Sequence, residues 1–227
     1  EMSSSLVGSE MCIRDSKLWC TFSHDQIDLN FKDPLVLIEF IEIVLLLLSK
    51  GVTTFRLDAV AFIWKKNGTS CVNLPETHEI VKLLRLIVNY INPHALIVTE
   101  TNLPRKENLS YFGNNDEANW IYNFPLPPLI LYTFLFEDSS KISGWSKSMP
   151  PAQINNAYLN FIASHDGIGM RPAEGILDNI ILDKLFKRVK KNGGKFSFRK
   201  VESENKVYEA NITSVSYTHL TLPTMMS

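Results

Sequence analysis

Three carboxylates stand at matching places in the chain. Asp58 follows Phe55-Arg56-Leu57, Glu100 follows Val98-Thr99, and Asp166 follows Ala163-Ser164-His165. Each of these strand-like runs ends in the acid or leads straight into it, so each acid is expected where a strand ends. Carboxylates grouped in this way can supply a nucleophile, a general acid and base, and an electrostatic stabiliser for a cationic transition state. An acid at a strand end facing a cleft is partly desolvated and costly to leave unpaired. One such acid alone reads more simply as a helix cap or the partner of a nearby Lys or Arg. Three together, with Arg56 two residues before the first, read as a catalytic constellation.

The elements that must position these acids alternate. Residues 35–48 form the longest apolar stretch, with Asp33 as N-cap, Pro34 at the first helical position and Gly51 as the stop, and so predict a buried helix. Glu39 and Glu42 interrupt it, and it is shorter than the ~20 residues of a membrane span. The β-branched run 52–58 predicts a strand. The unit then repeats: a helix over 75–92 with Ile80, Leu83, Leu84, Ile87, Val88 and Ile91 on one stripe and Thr77 as its cap, then a strand over 94–100. Further strands are predicted at 120–124 and 157–164, helices at 127–136 and 177–191, and a loop over 139–151. Residues 195–201 and 206–212 alternate around a polar turn and predict a β hairpin. Strand and helix alternation implies parallel βαβ crossovers, in a doubly wound sheet or a barrel. In a (β/α)8 barrel the active site lies at the carboxyl ends of the strands, where all three acids would sit.

These residues resemble the alpha-amylase superfamily of glycoside hydrolases. Arg56-Leu57-Asp58-Ala59, Val98-Thr99-Glu100-Thr101-Asn102 and His165-Asp166-Gly167 look like three of its signature regions, in its order. Within it the chain is most similar to the branch of sucrose phosphorylase and glucosylglycerate phosphorylase. That likeness rests on Ala59-Val60, Trp64-Lys65, Gly68-Thr69-Ser70-Cys71, Leu126-Pro127-Pro128-Leu129, Ser164 before His165, and Gly167-Ile168-Gly169. The resemblance implies the middle of a (β/α)8 barrel and a small-molecule sugar substrate. By position it implies Asp58 as the nucleophile forming a β-glucosyl ester, Glu100 as general acid and base, and Asp166 as transition-state stabiliser. Arg56 would hold the nucleophile ionised, and His165 would donate to a glucose hydroxyl. Arg171, Pro172 and Glu174 would face the acceptor. Retaining chemistry needs the two working carboxyls only ~5 to 5.5 Å apart, which adjacent strands can supply. The resemblance implies no cofactor, with inorganic phosphate as co-substrate if the enzyme is a phosphorylase. A hydrolase or transglycosylase would use the same residues, and a truncated inactive fragment would merely keep them.

The balance of 23 Lys+Arg against 24 Asp+Glu leaves no basic footprint for nucleic acid or an anionic membrane. Three cysteines without CxxC or Cys/His spacing exclude a disulfide framework and a structural zinc, and fit a cytoplasmic setting. No metal site is expected: His24, Asp25 and Asp28 read as a polar loop. His78 is expected to be solvated, and Phe112-Gly113-Asn114-Asn115-Asp116-Glu117 to be a surface turn. Trp64 and Trp120 could stack on sugar rings or pack in the core. The run 184–191 reads as the solvated face of a covering helix with Leu185, Phe186 and Val189 inside.

The two ends read differently. Back-translating Glu10-Met11-Cys12-Ile13-Arg14-Asp15 as GAG ATG TGT ATA AGA GAC gives a complementary strand that encodes Val-Ser-Tyr-Thr-His-Leu, the sequence from Val215 to Leu220. One DNA segment in opposite orientations at both ends of a reading frame is the mark of a sequencing adapter, to be set aside from fold reasoning. The expected organisation is therefore an adapter-derived tail at 1–16, the end of an inserted loop domain at 17–32, the central part of the barrel at 33–194, the hairpin at 195–213 and a second adapter-derived tail at 214–227.

Overall fold

The computed structural model describes residues 9–13, 16–23, 25–201 and 204–212, without the side chains of 9–13, 16, 17, 199–201 and 204. His24 and the whole 214–227 tail lie outside the described residues. Two compact units are present: Glu1–Thr101 with Leu109–Ile121 and Ile154–Asn156, and Asn102–Asn108 with Tyr122–Gln153 and Ala157–Ser227.

The first unit opens with β1 (Ser9–Ile13) and β2 (Ser16–Cys20), paired antiparallel. Helix α1 (Pro34–Ser49) follows, capped by Asp33, whose carboxylate accepts from the Leu35 N–H at 3.0 Å. Strand β3 (Thr54–Leu57), a 3-10 turn at Val60–Phe62, helix α2 (Pro75–Ile91) and β4 (Leu96–Thr99) come next. Strand β3 pairs in parallel with β4, Leu57 opposite Thr99. Helix α3 (Arg105–Ser110) and β5 (Trp120–Tyr122) straddle the boundary, and β5 pairs in parallel with β4 through Val98 and Thr99. Burial explains why these segments are strands. Phe55 is buried while Thr54 and Arg56 are exposed, the period-two alternation of a half-covered strand. In β4 Ile97, Val98 and Thr99 are all buried, as expected where a parallel sheet is covered on both faces. Ile80, Val81, Leu84 and Val88 form one buried stripe of α2, and Phe55 and Ile97 of the strands are buried as well.

The second unit carries α4 (Leu126–Phe136), α5 (Ser140–Ser148), β6 (Ala157–Leu159), β7 (Ile168–Gly169), α6 (Asn179–Lys191), β8 (Lys195–Val201) and β9 (Glu204–Asn211). Asn123, just past β5, donates to the Leu159 carbonyl of β6 at 2.9 Å. Strands β8 and β9 form the expected hairpin, and β7 adds to β9 as a third antiparallel strand. The core here gathers Leu129, Leu131, Trp145, Ile168, Leu185 and Val189. Helix α6 bears out the amphipathic reading of 184–191, with Leu185 and Val189 fully buried and its lysines outside.

Four expectations are corrected. Residues 139–151 are not a loop: Ser140–Ser148 is α5, because Trp145 anchors it in the core despite five weak helix formers in its sequence. Helix α1 is not a buried helix; of its side chains only Val44 is buried, while Leu35, Ile38 and Leu46 are at least half exposed. Thr77 does not cap α2, whose N-cap is Leu74; its side chain is fully buried inside the first turn. The strand expected at 157–164 ends at Leu159. No helix among the described residues is long and apolar enough to cross a membrane.

Candidate active site

The parallel register of β3 and β4 places Asp58 and Glu100 one residue beyond paired strand ends, and the Glu100 N–H donates to the Leu57 carbonyl at 3.0 Å. Arg56 shares the strand face that continues into Asp58, two residues on. Its guanidinium spans both acids: Nη1 lies 2.7 Å from Asp58 Oδ1 and Nη2 lies 3.4 Å from Glu100 Oε2. The remaining tie is a backbone one. Ala59 adopts a left-handed conformation, φ 45°, which few residues other than glycine take, and its N–H donates to Glu100 Oε2 at 3.0 Å. The strain at Ala59 thus aims an amide at the second carboxyl while turning the chain into the 3-10 turn behind it.

The two acids differ in surroundings. The Asp58 side chain is 70% exposed and the Glu100 side chain 17%. Burial pushes the Glu100 carboxyl above the ordinary range. The Ala59 N–H opposes that rise, the hydrogen bond with Asp58 and the negative charge of Asp58 add to it, and the charge of Arg56 opposes it. One carboxyl held toward its protonated form beside an exposed one with a guanidinium at 2.7 Å is the asymmetry that acid catalysis and nucleophilic attack require of a pair. Asp58 and Arg56 also line a cleft of about 450 Å³ whose other walls include Phe22, Asp28, Phe40 and Phe62.

Of the six residues named from sequence, the fold brings Arg56, Asp58 and Glu100 together within the first unit. The other three belong to the second unit. There His165 Nε2 lies 3.4 Å from Asp166 Oδ2, with both side chains largely exposed. Asp166 does not end a strand, as expected from sequence, but rides a tight turn in which the Ser164 and Gly167 backbones bond each other at 3.0 and 3.2 Å. Gly167 is required there: its φ is +109°, and an added Cβ would fall 2.6 Å from Asn211 Oδ1. Arg171 Nε lies 4.0 Å from Glu174. Among the described residues no three His, Cys, Asp or Glu side chains are grouped to hold a metal ion.

Two polar clusters were missed. His78 is not solvated: its ring bonds the buried Glu117 carboxylate at 2.7 Å and Asn73 at 3.2 Å, and stacks on Tyr111. Phe112 and Glu117 are likewise buried, so only the middle of that acidic turn faces out. The signal was Ile80 and Leu84 on α2: His78 lies within one turn of that buried stripe. The second cluster joins Thr21, Asp28 and Lys65. No spacing rule links residues so far apart in sequence.

The chain is similar to several known proteins. The glucosylglycerate phosphorylase of Spirochaeta thermophila is 46% identical over 210 residues, 91% of this chain and 36% of that protein. That of Escherichia coli K12 is 41% identical over 198 residues, 86% of this chain and 35% of that protein. The chain therefore spans about a third of the length of these curated relatives. The crystal structure of sucrose 6F-phosphate phosphorylase from Thermoanaerobacter thermosaccharolyticum superposes with a TM-score of 0.77 at 24% identity, covering 95% of this chain and 45% of that one. It supports a fold built on part of a (β/α)8 barrel. Residues 15–167, which carry all three acids, match the family described as alpha amylase, catalytic domain. The chain with its Arg56-bridged carboxylates is thus a member of the alpha-amylase family.

Proposed function

We propose that this chain is the central part of a retaining α-glucosyl-transferring enzyme, a phosphorylase of the sucrose phosphorylase type acting in carbohydrate metabolism. The observation that carries the reading is the Arg56 guanidinium bridging Asp58 and Glu100 at the ends of adjacent parallel strands. Asp58 attacks the anomeric carbon of an α-glucoside, and Glu100 protonates the departing oxygen; a β-glucosyl ester on Asp58 results. Phosphate then adds from the face the leaving group vacated, Glu100 takes a proton from it, and α-glucose 1-phosphate leaves with the original configuration. Arg56, 2.7 Å from Asp58, holds the nucleophile in place for the attack. Asp166 stabilises the oxocarbenium-like transition state, His165 donates to a glucose hydroxyl, and Arg171 faces the acceptor. Phosphate is the co-substrate and no cofactor is needed. The setting is cytoplasmic, and the adapter-like tails are no part of the working protein.

The acceptor specificity follows the curated relatives, both glucosylglycerate phosphorylases at 41% identity or more. A second reading, a hydrolase or transglycosylase, is favoured by one feature of the cleft: Arg56 is the only cationic side chain among its described lining residues. The test is glucose 1-phosphate formation by the full-length protein from glucosylglycerate and phosphate. Glucose release independent of phosphate would replace the first reading with the second. Loss of neither product in an Asp58→Asn variant would remove both.

A further inference from the structure

Lys65 lies seven residues past Asp58, in the stretch that leads away from the 3-10 turn. Its ammonium is largely buried, with the side chain 16% exposed, and all three N–H donors are spoken for. Lys65 Nζ donates to Thr21 Oγ1 at 2.6 Å and to the Phe62 carbonyl at 2.7 Å, and pairs with Asp28 Oδ2 at 3.1 Å. Thr21 in turn donates to the same Asp28 oxygen at 2.5 Å, and the ammonium lies 5.9 Å over the Trp19 ring. An edge-to-face ring pair reinforces the junction, Phe22 with Phe62 at 5.3 Å, while Phe31 with Phe40 at 5.6 Å ties the same stretch to α1.

The geography gives this cluster a role. Asp28, Phe22 and Phe31 line the cleft together with Asp58, Val60 and Phe62. Lys65 joins the chain stretch carrying Thr21 and Asp28 to the stretch that follows Asp58. It also cancels the charge of Asp28, which would otherwise stand as a second carboxylate beside Asp58 in the lining of the cleft, and repel an anionic acceptor.

We infer that Lys65 is a positioning residue: it holds the wall carrying Phe22, Asp28 and Phe31 against the Asp58 side of the cleft and neutralises Asp28, and so governs how the sugar and an anionic co-substrate are held. The kinetic part rests on the function proposed above; the structural part does not.

The experiment uses the full-length chain with two readouts. Hydrogen exchange follows the Asp28 amide, which donates to the Trp19 carbonyl at 2.9 Å, against the Ile97 amide, which donates to Asn119 Oδ1 at 2.8 Å. In Lys65→Met the Asp28 amide exchanges about tenfold faster or more while Ile97 is unchanged. Asp28→Asn gives the same effect, the double variant adds little to either, and Lys65→Arg restores most of the protection. In phosphorolysis, Lys65→Met raises the KM for phosphate about tenfold with kcat within about threefold, and Asp28→Asn in that background lowers the KM again. Unchanged exchange at Asp28, or a loss confined to kcat, overturns the inference. If Lys65→Met also frees Ile97 and so unfolds, the Asp28→Asn variant decides by the same readouts. If the wild-type protein performs no phosphorolysis, the proposed function falls and the exchange data alone decide on Lys65.

Discussion

Arg56, Asp58 and Glu100 form a site in which one guanidinium serves two carboxyls that its neighbours treat unequally. Because burial leads the rise in the Glu100 pKa, Glu100 keeps its proton at pH values where an exposed glutamate has lost it. In the acid role proposed above Glu100 must be protonated for the first step, so the falling alkaline limb of kcat/KM in the full-length enzyme is expected above the ordinary carboxylate range, and Glu100→Gln is expected to abolish that limb together with most of the rate. Stability carries the same sign. A carboxyl with a raised native pKa binds more protons folded than unfolded, so its contribution to stability is present below the ordinary glutamate range and is lost as pH rises through the raised value. Glu100→Gln should therefore flatten the stability profile over that window, as read by denaturant melts at several pH values. Asp58 is largely exposed, so Asp58→Asn should leave the melting profile nearly unchanged while lowering turnover by about 10³-fold or more. A matching fall in both would show that Asp58 has a structural role instead.

Elements carry their own tests. The turn under Asp166 exists because Gly167 takes φ +109° with Asn211 and Ala210 against it. Gly167→Ala is expected to cost about 2 kcal/mol, and to weaken turnover as well if Asp166 is the stabiliser proposed above. Helix α2 is fastened to the segment before β5 by the His78–Glu117 bond and by Arg85, which donates to the Glu117 carbonyl at 3.3 Å. His78→Ala leaves a buried carboxylate short of a partner and should cost about 1–3 kcal/mol in chemical denaturation, with KM unchanged because no atom of that cluster lines the cleft. A drop in KM or kcat without a drop in stability would contradict this structural assignment. Segments with a strong local signal were legible: Asp33-Pro34 starts α1, and Asp178, whose carboxylate accepts from the Ile181 N–H at 2.8 Å, starts α6. Helix α5 was not legible, because Ser and Gly dominate it and its one strong determinant, the burial of Trp145, is a tertiary contact.

At the scale of the molecule, exposed apolar surface is the leading feature. Leu35, Ile38, Ile43, Leu46 and Leu47 of α1 and Leu86 and Ile91 of α2 all stand open. Soluble domains rarely leave such contiguous faces uncovered, and the chain spans about a third of its curated relatives' length. The 227-residue chain is expected to bind a hydrophobic dye such as ANS strongly and to self-associate, and the full-length protein to do neither. Equal dye binding by both would mean that these faces stay open in the working protein.

By itself the sequence determined the candidate acids and the alternation of elements. A catalytic acid after a strand is a local pattern of residue types, and parallel βαβ units announce themselves through periodicities of 2 and 3.6 that each segment carries alone. What only the tertiary structure decided are the long-range pairings. These include the guanidinium of Arg56 between two carboxyls from different strands, the Ala59 amide on Glu100, the burial of His78 against Glu117, and the Lys65 tie to Thr21 and Asp28. Each of these depends on which surfaces meet once the chain has folded, and hydrogen bonds and ion pairs between residues dozens of positions apart leave no periodic trace in the order of the amino acids.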